Sequence, residues 1–530
     1  MTLPILLAVF AIPTISIPFV YLAGKKSTRA AAIFVALIAL INMGLVFSTV
    51  PTVLNDASHR YTESYSWIPT LNGTQFSLFV DGISASIALI SLVLIFVAAL
   101  YSVNYMAGKK NLPAYYALLC MLSVGLVGVF LTSNLILFYF CWELMLVPAY
   151  FIVGEWGYRN SYKSAFKLFI YTHAGAVFVL LGIGTIYYLT GTSDMFAAQK
   201  ALTAFPDLAK WIIIALTAGF AVKMAVFPVH GWLPDAHSEA PAPMSALLSG
   251  VIISAGAYAI LRLSFGIVFP AVGIGFGTVF LEVLAIVGVI TAFFGSFLAL
   301  VATDIKRLIA YSSIAHMGYI MFGLSLFPLS IFKGSVVLTY VGALAIVGTV
   351  LHIITHAASK GLFFLTAGGI MHQTEERDIR KMGGLAGKMP FSTVSGTIAA
   401  LSIAGAPPLA CFISEFLIFV GAIEVINLTG GLSSFYIIPT ALMLIATVFS
   451  LAYALRFISK VFLGQPMDEH KIGESEATAM EPGHEKHRIV DVPNYMKFSL
   501  AILVVLVVLI GIYPTFFINL IQTVTFGGAI

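Results

Sequence analysis

Long apolar runs follow one another from the first residues to the last, separated by short polar stretches. A helix needs about 20 apolar residues to cross a bilayer. The pattern predicts fourteen such spans, at roughly 3–22, 30–50, 79–106, 113–132, 134–154, 162–190, 209–230, 241–265, 276–301, 307–327, 333–371, 391–425, 435–463 and 497–523. Several exceed the length required and must tilt, bend or break. The longest polar stretch, Gln465 to Asn494, is too short and too polar to build a core.

Composition turns this pattern into a class. The 530 residues are 60% hydrophobic and 9% charged, whereas soluble domains carry about 25% charged residues. Apolar material spread end to end excludes a soluble globule with one anchor and predicts an all-α polytopic membrane protein. The first run lacks a basic leader and a small-residue cleavage site, so it is expected to remain as the first span. A net charge of +4 asks for no nucleic-acid partner. The basic residues instead alternate with the spans. Most of the 27 Lys and Arg, among them Lys25, Lys109, Arg159, Lys306, Arg377 and Arg456, follow odd-numbered spans; Arg60, Lys200, Lys210, Arg262 and Lys333 follow even-numbered ones. The positive-inside rule then puts both termini outside the cytoplasm.

Cofactor chemistry finds little support. Cys120, Cys141 and Cys411 lie far apart in apolar runs, with no iron–sulfur or zinc spacing. "GGLAGKMP" fails the phosphate-loop spacing, and "HIITH" lacks the glutamate of a zinc-protease helix. No cofactor and no metal is expected in this chain.

The anomalies are ionisable residues at membrane depth. Glu143 sits in "YFCWELMLVP", Lys223 in "GFAVKMAVFP", Lys360 in "THAASKGLFF" and Glu415 in "CFISEFLIF". His316 joins them, as do His352 and His356, four residues apart on one helical face. A charge at the bilayer centre costs about 2.5 kcal/mol or more. Three readings are open: lysines snorkelling to the headgroups, static ion pairs, or a proton relay, in which burial lowers the proton affinity of lysine and raises that of glutamate until the two approach. A set spread over five spans fits the relay best. Pro228 follows Lys223 by five residues, and Pro407–Pro408 precede Glu415. The seventh and twelfth spans are therefore expected to break beside an ionisable group, a pattern that points to repeated halves around a midplane ion site. Asp304, Lys306 and Arg307 are read as topology determinants at the membrane surface. Asp235, His237 and Glu239 form either a proton-collecting mouth or a solvated turn.

These residues carry a resemblance. "FYFCWELMLVPAYFIVGEWG", "AVKMAVFPVHGWLPDAHSEAPAPMSALLSG", "TDIKRLIAYSSIAHMGY" and "LSIAGAPPLACFISEFLIFVG" resemble the antiporter-like subunits of respiratory complex I, the M-type (fourth) subunit in particular. The same superfamily holds multisubunit Na+/H+ antiporters, membrane-bound hydrogenases and archaeal deazaflavin-dependent relatives. The resemblance implies N-terminal helices over 1–112 and two inverted five-helix repeats, spans 4–8 (113–265) and 9–13 (276–463). A polar cytoplasmic loop at 464–496 and a last helix within 497–530 would complete the chain. It implies a proton-translocating subunit in a prokaryotic cytoplasmic membrane, with Glu143, Lys223 and Glu415 matching the family's essential positions and Lys360, His316, His352 and His356 lining the path. Flavin, iron–sulfur clusters and a quinone-like acceptor would belong to partner subunits: antiporter-like neighbours in the membrane and a peripheral redox arm. Two departures stand out. Ser254 occupies the place of an M-type lysine, leaving serine, water or a tyrosine such as Tyr258 to serve there. Lys360 follows the L-type and sodium-antiporter pattern. A Na+/H+ antiporter subunit, a hydrogenase subunit and a haem- or quinone-binding electron carrier are the rival functions.

Overall fold

The structure, a computed structural model, describes residues 4–56, 58–326, 336–428, 434–465 and 489–526. The helices fall where the apolar runs predict: α1 Ile5–Lys26, α2 Thr28–Asn55, α3 Gly82–Tyr105, α4 Leu112–Leu131, α5 Leu135–Trp156, α6 Ser161–Thr190, α7 Pro206–Met224, α8 Ala242–Ala271 and α9 Ile274–Val301. They continue with α10 Ile305–Leu326, α11 Val336–Thr374, α12 in two pieces (Pro390–Ile403 and Ala410–Leu428), α13 Ser434–Leu463 and α14 Asn494–Ile512. A last helix, α15, spans Thr515–Phe526. Among the described residues, thirteen helices are long and apolar enough to cross a membrane. The remaining expected span is α7, whose 19 residues carry Asp207, Lys210 and Lys223. Most of the predicted polar loop, residues 466–488, lies outside the described residues.

Side-chain burial sorts the helices. α3, α8, α10 and α11 are almost wholly enclosed by the rest of the chain, whereas α1, α6, α13 and α14 present apolar faces outward. Small residues let the inner helices touch: a Cβ at Gly295 of α9 would come 2.4 Å from the Ala315 nitrogen of α10, the close backbone approach that drives helix association without a hydrophobic force.

One element departs from an all-helical reading. Tyr61–Ile68 (β1) and Thr74–Val80 (β2) form an antiparallel hairpin between α2 and α3. Asn72 and Gly73 both take positive φ, 48° and 67°, in the connecting turn, the backbone that Asn-Gly favours. The hairpin works as a cap: Glu63 of β1 accepts the backbone N–H groups of Leu6 and Leu7 at 2.9 and 3.0 Å, satisfying the first turn of α1.

Both expected breaks are present, and they share a geometry. α7 ends with Ala225 in the left-handed region (φ 57°) while Val226 N–H reaches back to Ala221 O at 3.1 Å. The first piece of α12 ends with Gly405 (φ 68°) while Ala406 N–H reaches Leu401 O at 3.0 Å. This six-to-one bond across a left-handed residue is the Schellman stop, and prolines at 228 and 407–408 prevent immediate resumption. The helix then restarts at Leu233 in one case and Ala410 in the other. Ala225 holds its φ without being glycine, at a cost of about 1 kcal/mol. The Val222 carbonyl accepts Ala225 N–H at 3.1 Å and the Trp232 indole N–H at 2.9 Å.

Two surface assignments are corrected. Arg262, expected in an external loop, lies buried inside α8, where its guanidinium donates to Asp81 Oδ1 at 2.9 Å and forms an ion pair with the same carboxylate, 2.7 Å from Oδ2. Asp81 also caps α3 through a capping box with Ser84. Isolated in an apolar interior the arginine would be costly; Asp81 neutralises it. Lys306, expected at the surface as a topology determinant, is fully buried and donates to the Ala240 carbonyl.

Candidate functional site

The seven predicted residues fall into two groups on either side of α8. The first contains Glu143 and Lys223. Pro148 cannot donate to the Leu144 carbonyl, and α5 is irregular at Met145 beside it. The Lys223 ammonium reaches this place from α7, donating to Trp142 O at 3.0 Å and lying 3.9 Å from the Trp142 ring centroid. A cation over an indole face is favourable and more so when desolvated. Glu143 is partnered by a histidine: its Oε2 lies 3.1 Å from Nδ1 of His173 on α6. Lys223 is buried, but the Glu143 and His173 side chains are 26% and 49% exposed. This pair therefore sits on the outer face of the chain. His173 was not among the predicted residues, although an ionisable group within a span is the same signal that found the others.

The second group is enclosed. His316 (α10), His352, His356 and Lys360 (α11) are all fully buried. Lys360 donates to Ser312 Oγ and to Ile309 O. His316 Nδ1 and His352 Nε2 lie 3.0 Å apart. His352 Nδ1 lies 2.9 Å from Ser414 Oγ on α12, and Tyr453 Oη of α13 is 3.4 Å from His316 Nε2. Glu415 enters from just beyond the α12 break, its Oε1 3.9 Å from His316 Nδ1. The His356 ring stands 5.6 Å from the His316 ring, and neither of its nitrogens has a hydrogen-bond partner among the described residues. Buried polar groups are nearly always met by protein or ordered water. Ser312, Ser414 and Tyr453 were missed because a lone hydroxyl in a span carries no signal of its own.

Between the groups runs α8, wholly buried and wound in part as π-helix at Leu248–Ile252 and Ile260–Val268, a distortion that concentrates at functional sites. Its Ser249 Oγ is 2.8 Å from Ser313 Oγ of α10, next to the Lys360 partner Ser312. Ser254 Oγ, in the regular stretch between the π segments, is buried without a partner among the described residues. Tyr258, by contrast, is engaged: its hydroxyl donates to Phe130 O at 3.0 Å, and Arg262 stacks near its ring.

The Asp235–His237–Glu239 stretch is not a free solvated turn. Asp235 pairs with Lys167 and Arg307 at 2.7 Å each, and Glu239 lies 3.6 Å from Arg377. His237 is fully buried, stacked 4.6 Å from the Phe364 ring, with both nitrogens unpartnered among the described residues.

Residues 132–438 match the family described as NADH:quinone oxidoreductase/Mrp antiporter, TM. The chain belongs to this family. It is 30% identical over 526 residues to the NADH-quinone oxidoreductase subunit M of Rickettsia conorii, covering 98% of this chain and 97% of that protein. The F(420)H(2) dehydrogenase subunit M of Methanosarcina mazei is 31% identical over 500 residues, covering 92% and 91%. Among solved structures, a chain of respiratory complex I from Thermus thermophilus superposes with a TM-score of 0.78 at 22% identity, over 99% of this chain and 98% of that one. The family match spans the stretch from Thr132 to Ile438, which contains all seven predicted residues and both helix breaks.

Proposed function

We propose that this chain is a proton-translocating membrane-arm subunit of a complex I-like oxidoreductase. The observation that carries the reading is an enclosed row of ionisable and hydroxyl groups deep in apolar helices: the hydrogen-bonded sets Lys360–Ser312 and His316–His352–Ser414, the His356 ring 5.6 Å from the His316 ring, and Glu415 3.9 Å from His316. Such groups are expensive in a membrane interior and mark ion pathways. In this reading Glu143 receives an electrostatic signal at the outer face, passing between His173 and Lys223 as partners. Lys223 holds the first proton site, beneath its break. The serines of α8 and water carry the proton toward Lys360, and the histidines deliver it to Glu415. The shared Schellman stops support two inverted repeats, α4–α8 and α9–α13. Electrons would flow in partner subunits holding flavin, iron–sulfur clusters and a quinone-like acceptor, with both termini of this chain outside the cytoplasm.

Glu143→Gln in the intact complex tests the reading. Proton uptake by proteoliposomes should fall severalfold per electron pair, while electron transfer from the peripheral arm to an artificial acceptor continues. Unchanged pumping would remove Glu143 from the mechanism. Lys360 favours one alternative, a subunit of a multisubunit Na+/H+ antiporter; the co-purifying subunits decide, since only an oxidoreductase brings redox proteins.

A further inference from the structure

We propose that His316, His352 and Glu415 form a binding site for one divalent transition-metal cation of the zinc type. The two histidines stand 36 residues apart in sequence, which is why ligand spacing gave no hint of it. In the folded chain one ligand atom from each of the three residues lies within 4.8 Å of the other two. Tetrahedral zinc with bonds of about 2.0–2.1 Å separates its ligands by about 3.3 Å. The observed separations, 3.0 Å between the imidazoles and 3.9 Å from His316 to the carboxylate, bracket that value.

The orientation of the imidazoles suits a metal. Ser414 donates its own proton to Cys411 O at 2.9 Å, so toward His352 it acts as acceptor. His352 Nδ1 therefore carries hydrogen, and its Nε2 lone pair points at His316. The far nitrogen of His316 faces the Tyr453 hydroxyl. Metal-binding histidines are held in this way, the outer nitrogen on a hydrogen-bonding group and the inner one free for the ion. Two imidazoles and one carboxylate leave a fourth position open, a donor set that favours zinc-like ions over calcium or magnesium, which take oxygen.

Access is through the α12 break. Glu415 packs against Gly405, where an added Cβ would meet its Oε2 at 2.5 Å. Pro407 and Pro408 of the same break are exposed. The Glu415 side chain is 9% exposed and His316 fully enclosed, so the carboxylate is the first ligand an entering cation meets. A cation seated between His316 Nδ1 and His352 Nε2 replaces the proton they share and interrupts the string. The interruption rests on the proposed function; the binding does not.

The test adds Zn2+ alone, at one equivalent, to chelator-washed intact complex and reads both zinc affinity and the zinc X-ray absorption spectrum. Wild type should show a tight equivalent ligated by two imidazoles and oxygen, without sulfur. H352Q and E415Q, each checked for assembly by co-purification, should each weaken that equivalent about tenfold or more, as should H316Q. Binding and spectrum unchanged in all three variants, a sulfur-ligated ion, or no tight equivalent would overturn the site. Bound zinc that leaves proteoliposome pumping intact would keep the site and count against the relay instead.

Discussion

The two halves of the molecule place an ionisable residue beside the same kind of helix break, yet surround it differently. In the first half Lys223 rests on a tryptophan, while Glu143 lies on the outer face, paired with His173. In the second half the lysine and three histidines are sealed inside the chain, each imidazole but His356 oriented by a hydrogen bond. The first half is thus built to be influenced from outside, and the second to hold a fixed sequence of donors and acceptors. On the proposed reading, the exposed pair is where a neighbouring membrane subunit exerts its charge, and the enclosed string is where protons move.

The largest effect should come from the enclosed half. Lys360→Met removes the ammonium held by Ser312 and should cut the proton-pumping rate on the order of 10²-fold, the contribution of a positioned proton-transfer group, read by fluorescence quenching in proteoliposomes; pumping within twofold of wild type would dissolve the contrast. Next comes a stability effect from a pair that is structural. Arg262→Met removes the guanidinium that is bonded to buried Asp81 and should cost about 3–5 kcal/mol, seen as a lowered unfolding midpoint. Glu143→Gln, at a part-exposed pair, should change stability by no more than about 1 kcal/mol while impairing pumping. Reversal of that pattern would mean the outer pair is the structural one. Between these two in stability is Ser414→Ala, which strands the His352 Nδ1–H and should cost about 1–3 kcal/mol; a stability equal to wild type would show that Ser414 does not orient the imidazole.

How far the sequence discloses this depends on the distance between partners. Apolar run length located the spans, and proline beside a charge located both breaks, because those signals are local. The pairings are not local. Arg262 meets Asp81 across 181 residues and His352 meets Ser414 across 62, so neither could be read from spacing. Serine is especially silent: Ser86 and Ser91 bond the carbonyl four residues back, as hydroxyls in helices commonly do, and nothing in the sequence separates them from Ser312 or Ser414. The hairpin was legible in principle, since alternation in "YTESYSWI" and an Asn-Gly turn precede α3, but an apolar-run reading passes over it. Lys306 was misplaced because charges at a span's edge usually face water, while here Ala240 supplies a carbonyl that lets the ammonium stay inside.

The central claim is that water joins the two groups through α8. A map of the intact complex that places ordered waters tests it most directly. Waters are expected at Ser254, at both nitrogens of His237 and His356, and in an unbroken line from Lys223 to Lys360. A well-ordered map in which apolar side chains fill that interval, with no water between the two lysines, would contradict it.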